Sequence, residues 1–350
     1  MKVTTDLTVL SPSDLSHFVS CRHRVGLDLA VARGELTRPH RNDPFAEMLR
    51  EHGKRHERAY VDSLRASGLR VVDLKDVEQG TEKALAAMQD GVDAIVQARF
   101  GADDLAGIAD VLVRVETPSA LGLWSYEVHD TKLAHHTSGG TILQLSAYSE
   151  LLARIQGHLP ERFHVIAPGE GDHEPFTRWS YRVLDYAAYY RMVLALTRAE
   201  LKRGHAALQT EFYPEPVEAC ARCVWEQRCE SRRRSDDHLS LVANAGRSQR
   251  AELRSQGFST LAAVAGMNVP VPFTPTRGSR ETYDRLGSQA RVQLQQRTSG
   301  LPVFERLAIE DAEGLCRLPL PSHGDLFLDL EGARFARKGG REYLLSLIHI

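Results

Sequence analysis

The sequence predicts an α/β protein in which helices flank a mixed β-sheet, and three observations indicate this fold class. Segments with helical apolar spacing alternate with short β-branched runs over the first 236 residues or so. Two strand-like runs, 108–115 and 121–128, follow each other with only a turn around Pro118 between them. A third run, 163–167, comes after a helical pattern at 141–155. Elements in this order imply a mixed sheet with helices on its faces.

The N-terminal segments predict two of the flanking helices. Ser13 is placed to cap the first, and Cys21 lies on or just beyond its first turns. Asp43 and Pro44 open the second, whose apolar positions recur at steps of three and four residues. Its inward positions are Phe45, Met48, Leu49, His52, His56 and Tyr60. His56 therefore lies on the inward side of this helix.

The remaining elements of this region follow in order. Short strands are expected at 71–74 and 94–100, with a helix at 81–88 between them. A long helix at 184–203 comes after the strand at 163–167.

A helical connector is expected over residues 237–320. The stretch 239–267 predicts a helix, a glycine turn at Gly257 and a second capped helix, which resembles a helix-hairpin-helix. A further helix is expected at 288–297, where the apolar residues are too sparse to define a buried face. Such hairpins can contact a nucleic-acid backbone, but more often they are only packing units.

Composition and charge narrow the class of protein. The 350 residues are 42% hydrophobic, which can bury a sizeable core in roughly two or three domains. No apolar run approaches the roughly 20 residues that cross a bilayer, and the first residues lack a signal-peptide pattern. We therefore expect a cytoplasmic protein with no membrane partner. The net charge of −2 gives no overall attraction to nucleic acid, and the run Arg232-Arg233-Arg234 alone is more typical of a solvated surface.

Acidic and basic residues in the middle of the chain predict a metal-dependent phosphodiesterase. Asp110 ends a G-x-x-D segment, and Asp130-Thr131-Lys132 follows twenty positions later. Two carboxylates are hard ligands suited to Mg²⁺ or Mn²⁺, and such a metal supplies a deprotonated water and stabilises phosphoryl charge. Because side chains alternate across a strand, Asp130 and Lys132 share one face, and the Thr131 carbonyl is available to the metal. Lys132 can then orient the attacking water.

A polar pair on the following helix extends this pattern. Gln144 and Tyr148 are four residues apart, so one helical face presents both to a phosphate or base. The D-x-K pattern alone occurs by chance in most chains of this length. The conjunction is far more specific, because G-x-x-D, D-x-K and Q-x-x-x-Y follow the segment 53–57 in one order. Glu127 is a rival ligand, but no lysine stands at the required step after it.

This ordered set resembles the PD-(D/E)XK nucleases and, within them, the RecB-like branch. The resemblance implies a restriction-endonuclease-like core in which Asp110, Asp130 and Lys132 are the catalytic residues. Gln144 and Tyr148 match the Q-x-x-x-Y motif of that branch.

The histidine of the same branch falls on His56. In the branch, a G-x-x-x-H-E-like helix supplies a histidine metal ligand, and the segment 53–57 has one residue fewer between glycine and histidine. His56 also fits a histidine that only completes the core. Glu57 and Glu127 are expected to contact the residues that bind the metal, without binding the metal themselves.

The cysteines extend the resemblance. Cys220, Cys223 and Cys229 form a C-x2-C-x5-C cluster, Cys21 lies far upstream, and Cys316 stands apart. Clustered thiols in a reducing compartment are better metal ligands than disulfide partners. In several RecB-like nucleases, one cysteine before the core and a similar group after it hold a 4Fe-4S cluster that joins the ends of the domain. The resemblance implies such a structural cluster here, while four thiolates by ligand type also suit Zn²⁺.

A second carboxylate pair lies near the end of the sequence. Asp329 and Glu331 share one face of an apolar strand at 326–332. This pair resembles the first motif of RNase H-like DEDD exonucleases, so residues 321–350 are expected to begin such a domain, with the other acids of its site missing. Residues 345–350 match what read-through into a transposase sequencing adaptor would encode. We therefore expect the native sequence to stop near Leu344 in a truncated gene.

The combined order resembles a family of uncharacterised bacterial RecB-like nucleases. It places a nuclease domain at 1–236, the connector at 237–320 and the start of an RNase H-like domain at 321–350. The resemblance implies a Mg²⁺- or Mn²⁺-dependent deoxyribonuclease that acts on DNA ends or single strands, with a helicase or another repair protein as a partner. Two other functions remain open: an inactive nucleic-acid-binding or scaffold protein, and an RNA-processing nuclease.

Overall fold

Six strands in the first half of the chain form one mixed sheet that helices flank. The computed structural model describes residues 1–3, 7–169, 174–306, 314–333 and 341–349. A short ribbon of β1 (Lys2–Val3) and β2 (Thr8–Val9) precedes the sheet. The sheet strands are β3 (Val71–Asp73), β4 (Ala94–Ala102), β5 (Leu105–Val115), β6 (Ser125–Thr131), β7 (Arg162–Pro168) and β8 (Phe176–Arg182). The predicted α/β class is therefore confirmed.

Seven helices belong to this part of the described chain. They are α1 (Pro12–Ser20), α2 (Arg22–Ala32), α3 (Pro44–Ala66), α4 (Gly80–Gln89), α5 (Gly139–Gln156), α6 (Val183–Arg203) and α7 (His205–Glu211). The strands lie in the sheet in sequence order, with β3 parallel to β4 and β6 parallel to β7. The other neighbours are antiparallel. Helices α4 and α5 connect the two parallel pairs, because a parallel connection must cross back over the sheet.

Three details of these elements differ from the sequence prediction. The cap of α1 is Ser11 instead of Ser13, and the Asp14 carboxylate accepts hydrogen bonds from the Ser11 backbone and hydroxyl at 2.8 and 2.6 Å. The inward stripe of α3 does not include Phe45, which is 61% exposed. Strand β6 begins at residue 125 instead of 121, because a turn precedes it and the Trp124 indole donates to the Met88 carbonyl at 3.0 Å.

Two apolar clusters pack on the two faces of the sheet. The larger joins the sheet to α1, α2, α5 and α6, with Leu15, Leu143 and Val128 among its buried members. The smaller lies under α3, where Tyr60 and Val61 join residues from β4, β5 and β7. Strand residues of alternating parity supply the two clusters, as the pleat requires. The sheet is thus buried between α3 on one side and the larger helical layer on the other.

The alternation of side chains breaks at one position on β4. Val96 packs under α3, whereas Ile95 and Ala98 both lie in the larger cluster. In a regular strand, residues three positions apart lie on opposite faces. Ile95 and Ala98 can share a face only if the backbone between them leaves the regular strand conformation. Gln97 does so with φ +55°, a state that costs a non-glycine residue about 1–3 kcal/mol. Such strain is commonly found near functional sites.

Close packing explains the glycine of the G-x-x-D segment. A Cβ atom on Gly107 would lie 2.8 Å from Cε1 of Tyr148 and 2.9 Å from Cδ of Pro12. Pro12 begins α1 and Tyr148 is buried in α5, so neither atom belongs to a flexible side chain. The approach of both helices to β5 therefore requires glycine at this position.

We expect Gly107→Ala to lower the free energy of unfolding by about 1–3 kcal/mol, because the added methyl group forces packed atoms apart. Urea unfolding at equilibrium measures the change. Gly53→Ala is the matched control, since Gly53 lies in α3 and a methyl group added there would have nothing within 4 Å. That substitution should leave stability unchanged or raise it by up to about 1 kcal/mol. Equal effects of the two changes would contradict the packing role of Gly107.

Residues 239–290 enclose a second apolar core. It is built by α9 (Arg247–Ser255), α10 (Leu261–Ala265) and α11 (Arg280–Ser299), and α8 (Glu226–Ser235) precedes it. The predicted glycine turn is confirmed, with φ +87° at Gly257 and Thr260 Oγ1 accepting from the Ala263 N–H. The buried face of the last helix, which the sparse apolar residues at 288–297 could not define, includes Tyr283, Leu286 and Ala290. Helix α11 begins at residue 280, so the buried Tyr283 and Leu286 precede the predicted start.

Glu215 joins this second core to the segment that leads into α8. Its carboxylate accepts hydrogen bonds from Arg250 at 3.2 and 3.3 Å and from Arg254, and it lies 3.3 Å from Nε2 of His238. His238 is the largest cause that lowers the pKa of Glu215 to about 2, and Arg254 and Arg250 act in the same direction. A lowered carboxyl pKa means that the charged form stabilises the folded state.

We expect Glu215→Gln to reduce stability at neutral pH by about 1 kcal/mol, because these contacts are partly exposed to solvent. The wild-type contribution is present above the ordinary carboxyl pKa of 4.5 and is lost as the pH falls toward about 2. Thermal unfolding of both proteins between pH 7 and pH 2 should show the two melting temperatures converging in acid. A constant difference across that range would contradict the role of the charge.

The C-terminal residues form a separate ribbon. Strands β9 (Leu326–Ala333) and β10 (Arg341–His349) are antiparallel, with Asp329 opposite Ser346 and Glu331 opposite Leu344. Large apolar side chains of this ribbon are more than half exposed: Leu326, Phe327, Leu328, Leu330 and Tyr343. Parts of all three predicted regions lie outside the described residues: 4–6 and 170–173 of region 1–236, 307–313 of the connector, and 334–340 and Ile350 of region 321–350. Among the described helices, none is long and apolar enough to cross a membrane.

Candidate active site and cysteine site

Strands β5 and β6 bring Asp110 and Asp130 side by side. The register pairs Val111 with His129, so the next residues outward, Asp110 and Asp130, face each other across the two strands. Asp130 is only 2% exposed and Asp110 is half-buried. Thr131 links the strands, because its backbone N–H and its hydroxyl both donate to Oδ2 of Asp110, at 3.1 and 3.2 Å. The predicted pair of carboxylates is thus assembled.

Lys132 lies against the buried carboxylate. Its Nζ is 2.6 Å from Oδ2 of Asp130, as an ion pair without the alignment of a hydrogen bond. Burial is the largest cause that raises the pKa of Asp130 to about 7, Lys132 opposes it, and Asp110 raises it further. Burial favours the neutral form of Lys132, but the charges of Asp130 and Asp110 outweigh this and raise its pKa. The lysine therefore stays an ammonium group at neutral pH.

The strained residue on β4 lies opposite Asp110. The register pairs Val96 with Val111 and Ala98 with Ala109, which leaves Gln97 facing Asp110 between two regular pairs. Gln97 Nε2 donates to Oε1 of Glu57 on α3 at 2.7 Å. The backbone distortion at Gln97 is therefore located where β4, β5 and α3 meet beside the first carboxylate.

Glu57 is a third acidic group at this end of the sheet. Burial is the largest cause that raises its pKa, and the charge of Asp110 is the second. Glu57 in turn helps to raise the pKa of Lys132. The motif resemblance predicted that Glu57 contacts the metal-binding residues without binding the metal itself. The structure places Glu57 close enough to Asp110 and Lys132 to affect the pKa of the lysine and to be affected by the aspartate. The available signal was its position beside His56 on a half-buried stripe of α3.

His56 reaches the same end of the sheet but contacts a backbone carbonyl. Its Nε2 donates to the Ile166 carbonyl at 2.9 Å, and its ring lies 5.5 Å from the ring of Phe176. The same carbonyl accepts the backbone N–H of Lys132 at 3.0 Å. In the described ranges, no group of three or more His, Cys, Asp or Glu side chains is arranged to hold a metal ion. The structure thus brings the two aspartates together without adding the His56 imidazole to them.

Tyr148 supports β5 from the helical layer. Its side chain is 5% exposed, and its hydroxyl donates to the Ile108 carbonyl at 2.6 Å, two residues before Asp110. Burial is the largest cause that raises the pKa of Tyr148 to about 12, and a hydrogen bond from Gln144 acts against it. Gln144 lies one turn earlier and is half-buried. Because its hydroxyl is already bonded, Tyr148 is placed to position the strand instead of contacting a phosphate.

Four cysteines from distant parts of the sequence line one cavity. Cys21 lies between α1 and α2, whereas Cys220, Cys223 and Cys229 lie in and around α8 and the short 3-10 helix Glu218–Arg222 before it. None of the four forms a disulfide bond, and Cys316 is exposed elsewhere. Burial is the largest cause that raises the pKa of Cys229 to about 12, and the other three thiols act in the same direction. The four thiols therefore line the same cavity, but among the described residues no three of them are arranged to hold a metal ion.

Polar groups surround this cysteine site. The backbone N–H of Val217 donates to Sγ of Cys220 at 3.4 Å, and backbone N–H groups near Arg24 stabilise the thiolate form of Cys21. Such N–H···S bonds are typical of sulfur ligands in metal clusters. The buried Arg233 lies near Cys229 and lowers its pKa, against the effect of burial. The site thus offers positive and dipolar groups to a negatively charged thiolate cluster.

A second contact joins the same ends of the domain without cysteine. Trp225 is fully buried beside the cysteines, and its indole N–H donates to Oδ1 of Asp28 on α2 at 3.0 Å. Arg38 donates to the same oxygen at 2.8 Å, and Arg24 donates to the other oxygen at 3.2 Å. Sequence reasoning missed Asp28, since a single aspartate in an apolar helix carries no recognisable spacing.

Comparison with known proteins assigns no family to this chain. No protein-family model matches the sequence. No curated protein matches it either. Any function must therefore be inferred from the placement of the chain's own residues.

Proposed function

We propose that the chain is a Mg²⁺- or Mn²⁺-dependent deoxyribonuclease of the RecB-like PD-(D/E)XK class, with Asp110, Asp130 and Lys132 at its active site. The observation that carries the proposal is the approach of Asp110 to the strand end that bears Asp130, where Thr131 donates two hydrogen bonds to Oδ2 of Asp110, with the Lys132 ammonium 2.6 Å from the Asp130 carboxylate. A mixed sheet flanked by helices, as found here, is the core that the motif resemblance implies.

The charge balance of the site favours a cation. Asp110 lies within electrostatic reach of both Glu57 and Asp130, whereas Lys132 contributes one positive charge to these three carboxylates. Two carboxylates in one partly buried site repel each other. The charge of Asp110 therefore adds to the effect of burial in raising the pKa of Asp130 to about 7. Hard carboxylate oxygens are ligands that Mg²⁺ and Mn²⁺ accept. The donor set therefore fits a divalent metal held by Asp110 and Asp130, and the Thr131 carbonyl is proposed as a further oxygen ligand.

Each residue has a distinct part in phosphodiester hydrolysis. A divalent metal, when bound, stabilises charge on the phosphoryl oxygens and makes a water more acidic. In the reaction, a water oxygen bonds to phosphorus and gives up a proton to solvent, the ester P–O bond breaks, and the departing oxygen takes up a proton from solvent. Lys132 stays protonated because its pKa is raised, so it acts by orienting the water and stabilising negative charge instead of by accepting a proton. Tyr148 and Gln144 hold β5 in place behind Asp110.

We also propose that Cys21, Cys220, Cys223 and Cys229 hold a structural 4Fe-4S cluster, with Zn²⁺ as the alternative. Support comes from the meeting of four free thiols around one cavity and from the N–H···S contact at Cys220. Such a group would fasten the segment before the sheet to the segment after α7. Its role is structural, and no electron transfer is proposed.

The substrate we propose is DNA with free ends or single strands, and a helicase or another repair protein is the proposed partner. The test uses anaerobically purified protein and labelled single-stranded DNA, double-stranded DNA and RNA of the same sequence, each with Mg²⁺, Mn²⁺ or EDTA. We expect metal-dependent cleavage of DNA that Asp110→Asn abolishes. Cleavage that survives in Asp110→Asn would identify a contaminating nuclease, and cleavage of RNA alone would replace the DNA proposal with RNA processing.

A further inference from the structure

A chain of buried polar side chains runs behind the proposed active site, on the face of the sheet that α3 covers. The Tyr60 hydroxyl lies 2.5 Å from Nδ1 of His129, and the rings of His129 and His164 lie 4.5 Å apart. His164 Nε2 is 2.8 Å from Oε2 of Glu127. All four residues are less than a tenth exposed. None of them is part of the proposed catalytic machinery.

The far end of this chain is anchored in the sheet. Oε1 of Glu127 accepts the backbone N–H of Arg162 at 2.9 Å, and Nδ1 of His164 bonds to the Ser180 hydroxyl at 2.8 Å. The polar chain therefore connects α3 with β6, β7 and β8. Burial raises the pKa of Tyr60 to about 12, so its hydroxyl keeps its proton and stays hydrogen-bonded to Nδ1 of His129 as a neutral group. Buried polar groups that are fully bonded in this way make the local geometry rigid.

The near end of the chain lies directly beside active-site residues. His129 immediately precedes Asp130 on β6 and points to the opposite face of the sheet. Tyr60 lies one turn after Glu57 on α3, and residues three apart share a helical face. The Tyr60–His129 hydrogen bond thus connects the helix that carries Glu57 to the strand that carries Asp130.

We infer that Tyr60 is a positioning residue for divalent-metal binding, acting through His129; this inference rests on the proposed nuclease function. The carboxylate of Asp110 repels those of both Glu57 and Asp130 when no cation is bound. Movement of α3 away from β6 would relieve that repulsion and separate the charges. The hydrogen bond holds α3 against β6, so the metal meets acidic groups that are already close, and less free energy is spent in gathering them.

Two tyrosine variants separate this role from a general contribution to stability. Tyr60→Phe removes only the hydroxyl that bonds to His129. Tyr126→Phe is the matched control, because Tyr126 is also fully buried. It lies on β6 and donates to the Val92 carbonyl at 2.7 Å, a hydrogen bond that does not involve Glu57, Asp110 or Asp130. Both variants lose one buried hydrogen bond, so both should melt at a lower temperature than the wild type. A role in metal binding predicts that only one of them changes the affinity for metal.

The measurement is Mn²⁺ binding without nucleic acid, followed by the paramagnetic resonance signal of free Mn²⁺. We expect the dissociation constant to rise at least tenfold in Tyr60→Phe and to stay within about twofold of the wild type in Tyr126→Phe. The Mn²⁺ concentration for half-maximal cleavage should rise by a similar factor, while the rate at saturating Mn²⁺ changes less. Equal Mn²⁺ affinities in the two variants would overturn the inference and leave the network a purely structural role.

A second pair of variants tests the same link from the other side. In His129→Asn, the side-chain amide can take the place of Nδ1 and form a hydrogen bond with the Tyr60 hydroxyl, so Mn²⁺ binding should be retained. His129→Leu has no polar group and should reproduce the weak binding of Tyr60→Phe. Loss of binding in both His129 variants would overturn the inference. Wild-type protein that binds no Mn²⁺ would overturn the proposed function as well, which distinguishes the two failures.

Discussion

Asp130→Asn is expected to lower the rate of metal-dependent DNA cleavage at least a thousandfold. The amide keeps the shape of the buried side chain but removes the charge that pairs with Lys132 and would bind the metal. The same change should raise the melting temperature of the metal-free protein, because a buried carboxylate beside Asp110 is costly, as its raised pKa of about 7 indicates. Single-turnover cleavage and thermal unfolding measure the two effects.

Opposite effects on activity and stability distinguish a functional carboxylate from a structural one. Glu116→Gln is the matched control, since Glu116 is exposed just beyond β5 and pairs with Arg114 at 3.0 Å. It should change the cleavage rate by less than about twofold. Asp130→Asn protein that unfolds more easily and cleaves at the wild-type rate would show that the ion pair with Lys132 only stabilises the fold.

Cys21→Ser is expected to release the metal centre and to destabilise the nuclease region strongly. A centre that joins Cys21 to Cys220 closes a loop of roughly 200 residues, and losing such a cross-link costs about 3–5 kcal/mol. For a domain of this size, that lowers the melting temperature by about 10 °C or more. Iron and sulfide analysis of anaerobically purified protein, with an absorption spectrum and a melting curve, measures both effects.

Cys316 provides the control for this experiment. It is exposed and lies outside the cysteine site, so Cys316→Ser should keep the full metal content and melting temperature. Zinc in place of iron would refute the 4Fe-4S cluster and leave the cross-link intact. Protein that contains neither metal and melts at the same temperature as Cys21→Ser would contradict a metal-bound cysteine site altogether. In that case the Asp28–Trp225 contact would be the main connection between the two ends.

The order of elements could be predicted from sequence because apolar periodicity records which faces are buried. The parallel pair of β6 and β7 around α5 follows from such patterns. Strand β8 was not predicted, since it lies at the edge of the sheet and alternates apolar residues with arginine, serine and threonine. The start of α11 was missed because its buried residues, Tyr283 and Leu286, precede the stretch that looked helical.

The candidate site could be predicted only in part. The spacing of residues predicts on which face of a strand each side chain lies, but it does not predict distortions of the backbone. Asp110 and Asp130 stand on consecutive strands, and their meeting follows from antiparallel pairing. The positive φ of Gln97 has no signal in the sequence, yet it brings Gln97 to Glu57. The motif predicted that His56 joins the aspartates in binding the metal. The packing of α3 instead directs His56 to the Ile166 carbonyl and brings Glu57 near Asp110.

The most direct test of the proposed active site compares wild-type protein with Lys132→Met, prepared identically without oxygen. The lysine is one-third exposed, at 35%, and its change to methionine should preserve the fold and the affinity for DNA. We expect wild-type protein to cleave labelled DNA with Mg²⁺ or Mn²⁺ and to stop in EDTA, and the variant to cleave at least a hundredfold more slowly. Equal cleavage by both proteins, or cleavage by neither under any metal condition, would contradict a nuclease site at Asp110, Asp130 and Lys132.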